Sequence, residues 1–287
     1  MKAYVMDAFT DAVFSGNQAG VVIPDRPLSD ALMQRIAAEF KHSETAFIDL
    51  SGAEKGAIGV RYFTPAGEVE LCGHATVAGF SCLLLTGRIA EGRYTAVTGA
   101  GRLAVDVRDG AVLMDMAAPR LLGGLSNEDS AALYAAYALT EADCPDGCRP
   151  AIVSTGLADI MMPVSDRETL LRAVQNEAEV AALSKKLGCV GVHMFSPGDG
   201  SCTAFCSNFA PLYGIPEECA TGTANAALTY YLNSLGLIAP GGENLFIQGE
   251  HMGRPSRVVS TLTETENGTL IRVGGRAVMS MECDIKV

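Results

Sequence analysis

Two short stretches decide how this chain is interpreted: Cys72-Gly73-His74-Ala75-Thr76 and Cys219-Ala220-Thr221-Gly222-Thr223-Ala224. Each runs into a small-residue segment that predicts a helix, Ala75–Leu85 in the first case and Ala224–Leu235 in the second. The cysteines are 219 − 72 = 147 residues apart in a chain of 287, about half its length. We infer a duplicated unit in which each half contributes one thiol.

The two cysteines are candidate catalytic residues because of where the motifs place them. A thiol at a helix N-terminus lies in the positive end of the helix dipole, which lowers its pKa toward neutrality. The N–H groups there can bind a carboxylate. Two thiols that face each other across a cleft can remove a proton from one face of a carbon and return one to the other. Either cysteine alone can equally be a small buried residue without chemistry.

Composition bounds the class of protein. Hydrophobic residues make up 48% of the chain and charged residues 19%, values typical of a globular protein. The net charge of −12 disfavours non-specific nucleic-acid binding. The N-terminal residues lack a basic and then apolar leader pattern, and the apolar runs are shorter than a bilayer span. We therefore expect a cytoplasmic protein without membrane contact, whose nine cysteines are free thiols.

The pattern along the chain predicts an α+β fold. Helical periodicity covers Leu28–Phe40 and Glu168–Lys186, and Gly92–Met116 is typical of a β-meander. The character of the sequence changes at Pro119. We predict two pseudo-symmetric domains, residues 1–118 and 119–274, with the C-terminal strands at about 275–287 returning to the first.

Several further stretches carry a resemblance to a known family. They are Asp7-Ala8-Phe9-Thr10, Phe14 to Val22, Ser43-Glu44-Thr45-Ala46-Phe47, Arg61-Tyr62-Phe63-Thr64-Pro65, Leu71 to Thr76, Phe209-Ala210-Pro211 and Gly214-Ile215-Pro216-Glu217. In order and spacing the chain resembles the PhzF phenazine-biosynthesis-like proteins, which belong with diaminopimelate epimerase and proline racemase. The resemblance implies a cofactor-independent isomerase in which each domain is a mixed or antiparallel sheet wrapped around a central helix.

The resemblance also implies roles for individual residues. Glu44 matches the carboxylate that PhzF-type isomerases use as acid and base, His74 the histidine beside it, and Asn17 an asparagine near the substrate. The second PhzF pattern, Glu-Asp-Pro-Ala/Val-Thr-Gly-Ser, reads Glu217-Glu218-Cys219-Ala220-Thr221-Gly222-Thr223 here. The run from Cys219 nearly matches Cys-Gly-Thr-Gly-Thr of proline racemase, and the run from Cys72 nearly matches Cys-Gly-His-Gly.

These observations favour proton transfer at a carbon next to a carboxylate. Our main hypothesis is a two-thiol amino-acid racemase or epimerase, a homodimer that acts on a small carboxylate or amino acid without metal or cofactor. One alternative is a PhzF-type double-bond isomerase with Glu44 as acid and base. Another is a non-catalytic small-molecule binding protein. The predicted catalytic residues are Cys72, Cys219, Glu44 and His74; the predicted substrate contacts are Asn17, Gly73, Glu218, Gly222 and Thr223.

Overall fold

The computed structural model describes residues 1–266 and 268–286 and divides the chain into two compact units. The first unit contains Met1–Asp115 and Gly274–Val287, and the second contains Met116–Val273. Among the residues described, no helix is long and apolar enough to cross a membrane.

The first unit is built from a mixed sheet and two helices, α1 (Asp30–Phe40) and α2 (Gly73–Leu85). Its strands are β1 (Lys2–Ala8), β2 (Asn17–Ile23), β3 (Thr45–Asp49), β4 (Ala57–Phe63), β5 (Glu68–Val69), β6 (Gly92–Thr98), β7 (Gly101–Arg108), β8 (Ala111–Asp115) and, from the C-terminal segment, a strand at Ala277–Asp284. That last strand pairs antiparallel with β1.

The second unit has its own mixed sheet and the helices α3 (Asn127–Ala135), α4 (Arg167–Arg172), α5 (Glu177–Leu187) and α6 (Gly222–Ser234). Its strands are β9 (Arg120–Gly124), β10 (Ala151–Ser154), β11 (Ala158–Pro163), β12 (Val192–Pro197), β13 (Ala204–Ala210), β14 (Ile215–Glu218), β15 (Glu243–Gln248), β16 (Ser256–Thr265) and β17 (Gly268–Gly275), whose last two residues fall in the first unit. The C-terminal strand of the first unit is β18.

The strand pairings of the two units repeat one another. In the first unit β1–β2 is antiparallel, β2–β3 parallel, β3–β4 and β4–β5 antiparallel, β4–β6 parallel and β6–β7 antiparallel. The same sequence of pairings runs from β10–β11 through β15–β16 in the second. This repetition agrees with the pseudo-symmetric α+β fold class predicted from the sequence.

One helix in each unit is almost entirely buried. All of α2 from His74 to Leu83 is buried, and it contacts β1, β2, β3, β8 and β18. Helix α6 is buried over most of its length and contacts β10, β11, β12 and β16. Small residues make this possible: a Cβ added at Gly79 would lie only 3.1 Å from Ile48 Cδ1. The prediction of a central helix in each sheet is confirmed.

The structure corrects one helix of the sequence prediction. The segment Glu168–Lys186 is not continuous, because α4 ends at Arg172 and α5 begins at Glu177. The backbone N–H groups of Val174 and Asn176 donate to the carbonyls of Tyr137 and Ala136 at 3.0 and 2.7 Å. Asn176 then caps α5, its side chain accepting from the N–H of Glu179. These long-range hydrogen bonds replace the ones that a continuous helix would make. The periodicity of the sequence does not show that the helix is interrupted here.

Candidate active site

Cys72 lies where a catalytic thiol was predicted in the first unit. It is the N-cap of α2, with extended backbone at φ −144° and ψ 115°, and its side chain is buried. Its carbonyl accepts from both the N–H and the hydroxyl of Thr76, at 3.0 and 2.7 Å. The Thr76 hydroxyl also lies 2.6 Å from the Tyr62 hydroxyl. The backbone of Cys72 is therefore held by Thr76, which in turn contacts Tyr62 on the sheet.

His74 links Cys72 to Glu44. The Nε2 atom of His74 lies 3.2 Å from Oε2 of Glu44, and Nδ1 lies 3.4 Å from Sγ of Cys72. A carboxylate only accepts hydrogen bonds, so a ring with its hydrogen on Nε2 can donate to Glu44 while Nδ1 accepts from the thiol. Ser43, to which the sequence analysis gave no role, places its hydroxyl 3.3 Å from the same Nε2. The result is an order of carboxylate, imidazole and thiol in which the histidine can take the thiol proton.

Glu44 reaches this position because of how β3 begins. Helix α1 ends at Lys41 in the left-handed conformation (φ 58°), and the chain turns back so that β3 starts directly after Glu44. The Glu44 carbonyl accepts from the N–H of Gly20 at 3.1 Å, which ties it to the parallel neighbour β2. Asn17 is the first residue of β2 and is buried. It precedes Gly20, which makes this contact, on the same strand.

Glu44, Cys72 and His74 also form a potential metal-binding set. Their oxygen, sulfur and nitrogen atoms lie within 4.8 Å of one another. Such a mixture of donors is of the kind that binds zinc. The expectation that this protein works without a metal stays a prediction.

Cys219 has different surroundings from those predicted. Helix α6 begins at Gly222 with Thr221 as its N-cap, so Cys219 precedes the cap by two residues and does not open the helix. Burial raises the pKa of the Cys219 thiol, and the neighbouring charge of Glu218 raises it further. Arg254 lowers the pKa through its charge and a hydrogen bond, but the first two effects dominate. The expectation of a thiol pKa lowered by the helix is therefore wrong here.

The segment after β15 packs against Cys219, and none of its residues is among the predicted site residues. Gly249 has φ +86°, and a Cβ added there would lie 2.6 Å from the Arg254 carbonyl oxygen and 2.7 Å from that of Cys219. The N–H of Arg254 donates to the Gly249 carbonyl at 3.1 Å, which closes the turn. The signal available in the sequence was the pair of glycines, Gly249 and Gly253, which bracket a turn before an arginine.

The remaining predicted contacts lie at the start of the two buried helices. Gly73 and Gly222 are the first residues of α2 and α6. The Thr223 carbonyl accepts from the Thr155 hydroxyl at 3.0 Å, and the Glu218 carboxylate accepts from the Thr221 hydroxyl at 3.0 Å. The structure thus brings Glu44, Cys72 and His74 together in the first unit, and places Glu218, Cys219, Gly222 and Thr223 in one segment of the second.

Comparison with known proteins agrees with this architecture. The phenazine biosynthesis-like protein family matches residues 6–283. The uncharacterized isomerase YddE of Salmonella typhimurium is 35% identical over 286 residues, which cover 97% of this chain and 96% of that one. The crystal structure of a PhzF-family phenazine biosynthesis protein of Bacillus anthracis aligns with a TM-score of 0.89 and 26% identity, covering 100% of this chain and 99% of that chain.

A more distant structure extends the likeness of the fold. The hydroxyproline epimerase of Agrobacterium vitis aligns with a TM-score of 0.63 at 13% identity, over 99% of this chain and 90% of that one. At that identity the likeness concerns the fold alone. The family match and the relative at 35% identity carry the assignment: the chain belongs to the phenazine biosynthesis-like protein family, and it is an isomerase of the PhzF type.

Proposed function

We propose that this isomerase acts by cofactor-independent proton transfer at the carbon next to a carboxylate, as a racemase or epimerase of an amino acid or related small acid. The observation that carries the proposal is the ordered contact of Glu44, His74 and Cys72 at the N-terminus of α2. A thiol beside an imidazole that is itself oriented by a carboxylate is a recognised way to generate a thiolate base.

The first step is assigned to Cys72. Its proton passes to Nδ1 of His74, and the Glu44 carboxylate stabilises the imidazolium that forms. The thiolate then removes the α-hydrogen of the substrate: the C–H bond breaks, an S–H bond forms, and the electron pair moves into the carboxylate as an enediolate. The first N–H groups of a helix have no carbonyl partner inside it, so those of α2 can stabilise this charge.

The return of a proton is assigned to Cys219 on chemical grounds. A thiol whose pKa is raised by burial and by Glu218 stays protonated at neutral pH, which is the state a general acid needs. The reverse direction requires that thiol to act as base, so we expect the two directions to differ in their dependence on pH.

A second candidate function is a PhzF-type double-bond isomerisation in which Glu44 carries the proton. One observation favours it: the side chain of Glu44 is 20% exposed, whereas that of His74 is 5% exposed, so the carboxylate is the more accessible group. In that reaction Cys72 and Cys219 have no part in the proton transfer.

Solvent deuterium exchange tests the proposal and separates the candidates. The enzyme is incubated in D2O with a panel of amino acids, hydroxy acids and unsaturated carboxylic acids, and exchange is followed by NMR. Exchange at the α-carbon of a saturated acid, with inversion, supports the racemase. Exchange only in unsaturated acids supports the double-bond isomerase, and no exchange across the panel contradicts both.

Variants then identify the proton carrier. For the racemase, Cys72→Ala should lower turnover by about 10²- to 10⁴-fold, whereas Glu44→Gln should be impaired and measurable. For the double-bond isomerase the order reverses, with Glu44→Gln inactive and Cys72→Ala close to wild type.

A further inference from the structure

A buried chain of polar side chains lies beneath the Glu218–Thr221 segment in the second unit. His193 on β12, Asn208 on β13, Asn225 on α6 and Gln248 on β15 are between 0 and 3% exposed. Burying these groups is costly unless each is hydrogen-bonded, and they bond to one another and to Glu218 and Thr221. The proposed chemistry uses none of the four.

Backbone groups fix the orientation of both inner amides. The N–H of Thr221 can only donate, and it lies 3.3 Å from Oε1 of Gln248. The carbonyl of Glu218 can only accept, and it lies 2.7 Å from Nε2 of Gln248. In the same way Nδ2 of Asn225 donates to the Thr221 carbonyl at 2.9 Å and to Oε1 of Gln248 at 2.7 Å. Each amide therefore has one possible orientation.

These orientations settle which nitrogen of His193 carries hydrogen. Nε2 of His193 lies 3.3 Å from Oδ1 of Asn225, an acceptor, so Nε2 must donate. Nδ1 lies 3.2 Å from Nδ2 of Asn208, a donor, so Nδ1 must accept. Both contacts require the neutral Nε2–H tautomer. Burial lowers the pKa of His193 to about 4, in agreement with a neutral ring.

The direction of donation continues to Glu218. Nε2 of Gln248 donates to the Thr221 hydroxyl oxygen at 3.1 Å, which leaves the hydroxyl hydrogen for Oε2 of Glu218 at 3.0 Å. Donation thus runs in one sense from Asn208 through His193, Asn225, Gln248 and Thr221, and it ends on the carboxylate beside Cys219. Every amide hydrogen of Gln248 and Asn225 is used along the way.

We propose that His193 is a positioning residue of this isomerase: its Nε2–H tautomer fits the hydrogen-bond directions that the backbone of the Glu218–Thr221 segment sets, and by holding Asn225 in place it keeps the Glu218 carboxylate beside Cys219. This inference rests on the proposed function for the role of Cys219, but the arrangement itself can be tested without it. A ring with its hydrogen on Nδ1 would place two donors against each other, its own Nδ1–H and the Asn208 amide N–H. The hydrogen bonds would then no longer all donate in one direction along the chain of side chains.

The tautomer is tested first, by long-range ¹H–¹⁵N NMR of the ¹⁵N-histidine-labelled protein at pH 7. The chain has four histidines, and His193→Gln identifies the signal that belongs to this one. We expect one protonated Nε2 and one unprotonated Nδ1. An Nδ1–H tautomer or a doubly protonated ring would overturn the proposal, whatever the enzyme acts on.

The effect on the site is tested with Thr221→Val, which removes the last donor, and with Thr221→Ser, which restores it. Without the hydroxyl, Glu218 relaxes away from Cys219, so iodoacetamide labelling of Cys219 at pH 7 should be about threefold faster in Thr221→Val. Tyr231→Phe is the control: Tyr231 lies on the same helix, α6, but its hydroxyl donates to the Arg149 carbonyl and not to Glu218. Equal labelling rates in folded wild type, Thr221→Val and Thr221→Ser would overturn the proposal.

Kinetics complete the test once the exchange screen has given a substrate. His193→Leu should lower kcat by up to about 100-fold with KM little changed, because a misplaced acid affects the reaction more than binding. His193→Gln, which can donate from its own amide, should recover most of kcat. If folded His193→Leu has wild-type kcat, the positioning role is wrong. If no substrate is found, the proposed function fails while the NMR and labelling results still decide the network.

Discussion

The two units have the same strand pairings but place different chemistry at equivalent positions. In each unit three residues face one another across neighbouring strands. They are Ala46, Tyr62 and Val69 in the first unit and His193, Asn208 and Glu218 in the second. In the first unit the Tyr62 side chain connects the sheet to Thr76 on the buried helix α2. In the second unit His193 and the amides of Asn208 and Asn225 make the corresponding connection to α6.

The thiols differ as well, because they do not lie at equivalent positions. The buried helices begin 222 − 73 = 149 residues apart, so the position equivalent to Cys72 is the cap residue Thr221. Cys219 precedes it by two residues and is equivalent to Glu70. The duplication has therefore placed a thiol next to a histidine in one unit and next to a carboxylate in the other. The surroundings of Cys72 therefore suit a base, and those of Cys219 suit an acid.

The largest effect should come from removing each thiol separately. If Cys72 is the better base, Cys219→Ala should still exchange the α-hydrogen of one enantiomer in D2O without inverting it, while Cys72→Ala should exchange only the other enantiomer, about 10²- to 10⁴-fold more slowly. The measurement is NMR of each enantiomer, incubated separately. Cys82→Ala is the control, since it removes a buried thiol from the same helix as Cys72. Equal residual exchange in the two thiol variants would end the distinction between them.

The next effect concerns the turn that holds Cys219. Gly249→Ala should destabilise the fold by about 3 kcal/mol, because it adds strain at φ +86° and a contact of 2.6 Å with backbone. Gly253→Ala is the matched control: it has φ +65° with open space around its Cβ, so it should cost only about 1 kcal/mol. Urea denaturation measures both. Similar losses in the two variants would show that the close approach to Cys219 is unimportant.

A smaller effect is expected on the pKa of Cys219. Glu218 raises this pKa and Arg254 lowers it. Glu218→Gln should therefore lower the pKa and speed alkylation of Cys219, and Arg254→Met should raise the pKa and slow it, each by about threefold to tenfold below the pKa. Peptide mass spectrometry of iodoacetamide labelling from pH 6 to 10 gives both profiles. Shifts of the same sign in the two variants would contradict the electrostatic assignment.

The smallest effect should come from the phenol of the first unit. Tyr62→Phe removes one buried hydrogen bond to Thr76, but Thr76 still donates to the Cys72 carbonyl. We expect a loss of about 1 kcal/mol in the free energy of unfolding. Thr76→Val removes both bonds and should cost more, which urea denaturation can resolve. A larger loss in Tyr62→Phe than in Thr76→Val would show that the Tyr62 hydroxyl stabilises the unit through something other than its bond to Thr76.

Local signals in the sequence account for the helices, the strands and the family. Small-residue helices after two similar motifs, strand periodicity and glycine-marked turns are local signals, and they predicted α2, α6 and the repeated mixed sheets. The thiol motif led to Cys72 and the family resemblance added Glu44 and His74; the fold brings the three into contact. Their spacing in the sequence did not contain this contact, since Glu44 and Cys72 meet only because β3 pairs with β2 and α2 is buried against both strands.

The tertiary structure alone decided what surrounds each thiol. The cap of α6 lies at Thr221 and not at Cys219, and the Thr221 N–H donates to Gln248, 27 residues further along the chain. The pKa of Cys219 is set by burial and by the opposed charges of Glu218 and Arg254. The hydrogen-bonding role of His193 depends on its contacts with Asn208 and Asn225, which lie on other elements. Such long-range contacts depend on which strands become neighbours, and the spacing of residues within one segment carries no record of that choice.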